Sequence, residues 1–447
     1  MNVAVLKTKA EQALSEAFST AAADLPGGAD IRKLRLDAMG RFGALGLPHR
    51  RIEAWKYTDL RSLMKEVLPA PAPGATPKPA DIEAALGPLA AVEAHRVVFV
   101  DGRYAPDLSA LVADGDVTVA SLATLLDSDT AAAELLDASG RDDDAVLALN
   151  TAYAADGAVI DIAPLSSVEQ PVMIVHVRAT SAPAFIATRS VVRVGEGAVA
   201  TVVEVHVALP GAGKDFQLNA ATKVVVGKGA RLSHLKCTQE TGAGAHIVNW
   251  LSELGPDASY NAFQFTAGTG LARNQLGVTF AGEDASIDLS GVFLARGAQH
   301  VDTTLLVDHA VPRCVSRELF KGVLDDHARG IFQGKVIVRP DAQKTDGKQM
   351  AQVLMLSPDC EFDSKPELEI YADDVVCGHG STSADLDDDL IFYCRARGIP
   401  EHEARALMIE SFIGEALEKV EHEGLREALG RLAHEWLQGA EAARSSA

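Results

Sequence analysis

A quasi-periodic glycine–alanine mark constrains the fold of this chain more than any other feature. Gly-x-x-Ala recurs at Gly195/Ala198, Gly227/Ala230, Gly255/Ala258 and Gly282/Ala285, at intervals of 32, 28 and 27 residues, each just ahead of a strand-like run. Glycine permits a sharp backbone turn, and a small alanine lets successive turns stack closely. The runs that follow alternate. In Val199–Val207 the odd positions are apolar or β-branched, while the even ones include Glu204 and His206; in Ser286–Ser290, Ile287 and Leu289 alternate with Ser286, Asp288 and Ser290. Period two predicts one buried face and one wet face. Strand–turn units of this length suit a stacked solenoid such as a β-helix, and also a β-sandwich, whose turns recur regularly too.

Helical patterns flank this region. An N-terminal helical domain is expected over residues 1–95. Leu6, Ala10, Leu14 and Phe18 recur at helical spacing, Gly27-Gly28 break the pattern, and a second helix is expected from Ile31 to about Phe42. Residues 69–80 form a Pro/Ala linker unsuited to a regular helix or a central strand. A small mixed segment, 96–150, opens with a strand at Arg96–Val100, and the β core is expected over 151–385. Helices return over 386–447. Pro400 sits near a helix start, Ala404, Leu407, Met408, Phe412 and Ala416 mark one apolar stripe, and Leu425, Ala428, Leu429, Leu432 and Trp436 mark a second. Such helices shield the open end of a stacked sheet or present an apolar face to a partner.

Composition narrows the function. Forty-one basic against 62 acidic residues give a formal charge of −21, which repels phosphate backbones and argues against a nucleic-acid partner. No stretch reaches the roughly 18–20 apolar residues of a membrane helix, and Met1–Ala10 carries no secretory signal. The five cysteines are odd in number, widely spaced and fit no disulfide framework, which points to a reducing compartment, the cytoplasm.

The densest cluster of reactive side chains is Asp373-Asp374-Val375-Val376-Cys377-Gly378-His379-Gly380. On an extended chain Cys377 and His379 project to the same side, and thiolate beside imidazole suits zinc or iron–sulfur chemistry. Two ligands cannot close a tetrahedral site, so the rest must come from elsewhere in the fold or from another chain. The plain alternative is a buried cysteine near a hydrogen-bonded histidine. Glu204/His206 and His300/Asp302 each share a strand face and offer a cation two ligands, although solvated strand residues are the plainer reading. Asp385, Asp387, Asp388 and Asp389 lack a calcium-loop register and suit a helix start. Gly211–Asp215 lacks both the first glycine and the hydroxyl residue of a phosphate loop, so no intrinsic nucleotide site is expected.

The runs Gly334–Val338, Ala342–Gln349, Pro366–Gly380 and Phe392–Ile399 closely resemble the SufB/SufD family of iron–sulfur cluster assembly scaffolds. Pro48–Leu60 resembles the SufD branch, and the first cysteine is Cys237, so the N-terminal cysteine cluster of many SufB chains is missing. The resemblance implies a right-handed parallel β-helix core between helical ends. It implies a non-enzymatic scaffold that pairs with a SufB-type sister and is bound, through the helices from about Pro400, by a SufC-type ABC ATPase that supplies ATP hydrolysis. A homodimer in isolation is also implied. His379 would contribute to a nascent, transient iron–sulfur cluster at the interface between the sisters, with Cys377 beside it. The sequence departs from the family at Gly380-Ser381-Thr382-Ser383-Ala384-Asp385, where Gly-Ala-Thr and a glycine turn are usual; the spacing of Cys377, His379, Gly380 and Thr382 is kept. Cys360 and Cys394 read as core positions. Two other readings are a purely structural adapter in the same complex and a carbohydrate-active β-helix enzyme; an aromatic content of 5 % disfavours the latter.

Overall fold

A computed structural model describes residues 7–72, 74, 76–110, 115–128, 130–137, 141–240 and 242–445. The core is a parallel solenoid, and the sandwich alternative is excluded: successive strands go alternately to two sheets, each growing by one parallel strand per turn for about eight turns. Sheet A stacks Val172–Arg178, Val199–Ala208, Arg231–Thr238, Ser259–Ala267, Ser286–Ala295, Val315–Leu324, Asp346–Met355 and Val376–Ala384 in that order. Sheet B stacks Ala158–Ile162, Ala184–Val194, Phe216–Val226, Ala245–Leu254, Leu271–Phe280, His300–His309, Arg329–Val338 and Glu361–Ile370. The sheets begin earlier than the β-rich stretch of the sequence, because His95–Val100 pairs in parallel with Val172–Val177.

The two ends of the stack differ. At the first end, antiparallel strands finish the sheets: Arg103–Tyr104 folds back on His95–Val100, and Val117–Ser121 pairs with Ala158–Ile162. At the other end the outermost strands are Val376–Ala384 and Glu361–Ile370, and among the described residues no strand pairs with their outer edges. Pro366 sits in the middle of Glu361–Ile370, a place proline occupies only at a sheet edge.

The Gly-x-x-Ala mark is the corner of four successive turns. Gly227 N donates to Val194 O at 2.8 Å, and a Cβ on Gly227 would lie 2.8 Å from that same oxygen. At Gly282 a Cβ would lie 2.0 Å from Pro256 N. Each corner is pressed on the one before it, so a side chain has no room. Ala198, Ala230, Ala258 and Ala285 form a buried column along the axis, and Cys314 continues it, since Ser286 pairs with Val315.

The alternation in Val199–Val207 needs correcting, since both faces are dry there, whereas in Ser286–Ser290 Ile287 and Leu289 are buried and Ser286 and Asp288 half-exposed, as expected. In Val199–Ala208 the even residues Ala200, Val202, Glu204 and His206 face the lumen, while Val203, Val205 and Val207 face outward into a second apolar layer. That layer is completed by Pro79–Leu86 and the C-terminal helices Glu401–Leu417 and Glu423–Ser445, which cover sheet A. Ala145–Tyr153 and the N-terminal helices Lys9–Ala21 and Ala29–Leu45 cover sheet B, with Phe185, Ala187, Ile247 and Leu271 beneath them. Burying one such aliphatic side chain contributes about 1.5–3 kcal/mol, so the two helical layers are structural parts of the solenoid.

One boundary and one helical stripe differ from the expectation. The Pro/Ala linker ends at Lys78, because Pro79 occupies the first turn of a helix, where a missing N–H costs nothing; Pro73 and Ala75 of the linker, like Leu6 of the first helical pattern, lie outside the described residues. In Glu401–Leu417 the buried stripe is Ala404, Ile409, Ile413, Ala416 and Leu417, whereas Leu407 is exposed. Met408 and Phe412 of the expected stripe pack half-buried against the same core, so Leu407 alone falls off it, because apolar residues surround that helix on several sides. The stripe Leu425, Ala428, Leu429, Leu432 and Trp436 is buried as expected. No helix among the described residues is long and apolar enough to cross a membrane.

Candidate functional site

Cys377 and His379 lie on the last strand of sheet A, at the open end of the stack. Register places Cys377 over Gly347 and His379 over Gln349, and one turn further in come Ser316 and Glu318. Because side chains two apart share a face, these six positions form two adjoining columns pointing to the lumen side. His379 is exposed, Cys377 half-buried, and Gln349 and Glu318 fully buried. The columns therefore run from the solvent-facing rim into the core.

Two glycines make room for this arrangement. A Cβ on Gly347 would stand 3.7 Å from Cys377 Sγ and 3.3 Å from Ser316 Oγ, so the thiol looks down onto a side-chain-free position. Gly334 of sheet B faces Gln349 so closely that a Cβ there would overlap the carboxamide, at 1.8 Å from Nε2. Burial pushes the Cys377 thiol up, and the carboxylates of Asp346 and Glu318 add to this. Burial also pushes the Glu318 carboxyl up to about 8. A cation arriving at the rim would reverse both trends, since it stabilises thiolate and carboxylate together. Imidazole, thiol and a carboxyl behind them are a donor set for iron or zinc. Exposed Val376, Ile370 and Tyr371 surround the rim, and an apolar, unpaired strand edge is a template for another chain. Glu318 and Gln349 escaped sequence reasoning; their only signal is the turn spacing, which aligns them with His379 once the strands are stacked.

The segment Pro48–Leu60 is a latch on sheet B. Trp55 is buried, the Arg273 guanidinium stacks over its ring at 3.8 Å from the centroid, and Arg273 Nη2 donates to Ala54 O at 2.6 Å. Arg273 also pairs with the fully buried Asp302, to which Thr58 Oγ1 donates; Thr58 Oγ1 lies 2.9 Å from His300 Nε2. Glu53 reaches Lys365 on the last strand of sheet B. His300/Asp302 is thus no solvated pair: it is where the N-terminal segment is fastened. Nor are Glu204 and His206 solvated, since both are sealed in the lumen, as lumen-facing strand positions must be.

The remaining candidates are structural. Asp387 caps the helix Asp388–Ala396, its Oδ1 accepting from Asp389 N at 2.9 Å. Gly211–Asp215 is a turn joining Val199–Ala208 to Phe216–Val226. Cys360 is buried, as a core position should be, but Cys394 on the helix Asp388–Ala396 is partly exposed. A groove of about 410 Å³ beside Trp55, Asn249, Leu306 and Gln333 contains neither Cys377 nor His379.

Comparison with known proteins shows the family. Residues 176–412 match the family model described as the SUF system FeS cluster assembly SufBD core domain, and residues 9–174 match the SufBD protein N-terminal region. The chain is 31 % identical over 393 residues to the iron–sulfur cluster assembly protein SufD of Escherichia coli, covering 86 % of this chain and 87 % of the relative. It is 29 % identical over 409 residues to an iron–sulfur cluster assembly SufBD family protein of Synechocystis, with 86 % of each covered. Bacillus subtilis SufD is 26 % identical over 289 residues, covering 64 % of this chain and 66 % of that protein. The chain is a SufD-type member of the SufBD family of iron–sulfur cluster assembly proteins.

Proposed function

We propose that the chain is the SufD-type half of a cytoplasmic scaffold, joined through the open end of its solenoid to a SufB-type sister, with His379 and Cys377 at the seam where a cluster is built. The observation that carries this reading is the position of His379: exposed, on the outermost strand of an unpaired parallel edge, beside a half-buried thiol. A protein that bound its metal alone would enclose it with three or four ligands; this rim supplies two and leaves the others to a neighbour. The nascent cluster is cargo, held transiently, and the scaffold has no catalytic residue of its own.

The second contact is with a SufC-type ATPase on the C-terminal helices. Leu390, Phe392, Tyr393 and Leu407 are all exposed on Asp388–Ala396 and Glu401–Leu417, which leaves an apolar surface suited to a partner. ATP-driven movement of that partner would pull on helices fastened to sheet A by Lys419–Asp288 at 2.8 Å and by Lys321–Glu415. The helices thereby connect the ATPase to the rim.

Co-expression with the two partners tests both contacts. Replacing Val376 with Glu is expected to abolish co-purification of the sister while the ATPase is retained; unaffected recovery of the sister would place the seam elsewhere.

A further inference from the structure

We infer that the lumen of the solenoid contains a metal site separate from the rim, in which His176, Glu204 and His206 bind one borderline divalent ion, iron(II) or zinc(II). Their ligand atoms all lie within 4.8 Å of one another. Metal–ligand bonds of about 2.1 Å put neighbouring ligand atoms roughly 3–3.5 Å apart, so the three need to draw in by about 1 Å, which rotation of the rings provides.

Three observations point to a ligand here. First, the residues come from adjacent turns: His176 pairs in register with His206, and their rings stack at 4.6 Å. Second, His206 Nε2 is fully buried and has no hydrogen-bond partner, which a metal bond would supply. Third, the neighbours orient the donors as second-shell groups do. Glu204 Oε1 accepts from His234 Nε2 at 2.8 Å, and Thr222 Oγ1 donates to Oε2 at 3.1 Å, which fixes the carboxylate. His246 stands edge-on to His206 at 4.7 Å; its Nδ1 bonds Glu240 at 2.9 Å, and its buried Nε2 lacks a partner.

Glu204 supplies the carboxylate of the site, while Glu240 is paired with Arg178 and His246. His176 and His206 are both buried, so bulk water does not compete for their ring nitrogens. Two imidazoles and one carboxylate, without sulfur, favour iron(II) or zinc(II) over copper(I) or calcium. With Glu204 and His206 each about 1 % exposed, the ion must enter as the turns close and then resist chelators.

The full-length chain, unfolded in guanidinium and refolded anaerobically with iron(II), zinc(II) or cobalt(II), tests this after dialysis against EDTA. About one equivalent of iron or zinc should remain per folded chain. The cobalt form should show visible d–d absorption without a thiolate charge-transfer band, unchanged in Cys377→Ser and His379→Ala. His206→Asn and Glu204→Gln should each lose at least nine-tenths of the metal while keeping the far-ultraviolet circular dichroism of the parent. If those variants fail to fold, the cobalt spectrum of the parent chain decides. Retention of no metal by the parent, a thiolate band, loss of the metal in His379→Ala, or full retention by folded His206→Asn would each overturn the site.

Discussion

The Arg273 guanidinium lies 3.8 Å from the centre of the Trp55 ring while pairing with the buried carboxylate of Asp302. One cation thus fastens the N-terminal segment to sheet B and neutralises a charge that has no access to water. Removing Arg273 strips Asp302 of its partner. Loss of one member of a buried pair costs about 3–5 kcal/mol. Arg273→Ala is therefore expected to lower the guanidinium unfolding free energy by that amount, and Trp55→Ala by about 3 kcal/mol through the lost aromatic packing. Limited proteolysis should then cut in the linker before Pro79 and release the helices Lys9–Ala21 and Ala29–Leu45 while the solenoid survives.

A corner glycine is testable by itself. With Pro256 N only 2.0 Å from where a Cβ would stand, Gly282→Ala forces two turns apart. Overpacking of this kind costs about 1–3 kcal/mol. The same substitution at Gly378, which has nothing within 4 Å, is expected to leave the unfolding midpoint nearly unchanged.

Glu318 gives the alkaline side of the stability profile. Its folded value of about 8 lies above the ordinary 4.5, so its contribution is complete below pH 4.5 and is lost as pH rises toward 8. His300 and His309, both held at about 4 by burial, act in the opposite sense: they stay neutral in the folded chain, and stability is lost as pH falls from 6.5 toward 4. These groups together place the maximum near pH 6.5, with slopes of about 1.4 kcal/mol per unit for one proton. Denaturant titrations of Glu318→Gln should show the fall between pH 6.5 and 8 abolished and the fall below pH 6.5 steepened, since the carboxyl no longer opposes the two histidines there.

Phe392 is the most exposed aromatic on the C-terminal helices. Phe392→Glu is expected to reduce co-purification of the ATPase at least tenfold without changing thermal unfolding of the isolated chain. An unchanged yield would remove that helix from the docking surface.

Much of the fold was legible because its two strongest constraints are local. The Gly-x-x-Ala corners mark where backbone meets backbone, and the period-two runs between them mark the strands. What lay beyond the sequence was which face is wet. Alternation in Val199–Ala208 separates lumen from outer face, and only the packing of Pro79–Leu86 on that outer face makes both dry. The same ambiguity hid the surroundings of Glu204 and His206. Cys377 and His379 were legible as a pair through their spacing, while Gln349 and Glu318, about 30 and 60 residues away, join them only through parallel register. Leu407 misled because a helix apolar on several sides has no single period to follow.

The central claim is that His379 meets the growing cluster at the seam between sister subunits. It is tested most directly by purifying the three-subunit complex anaerobically and measuring iron and acid-labile sulfide per complex, with His379→Ala beside the parent. The account predicts that the variant complex assembles in full yet carries less than a tenth of the parent's iron and sulfide. Equal iron and sulfide in the two complexes would contradict it.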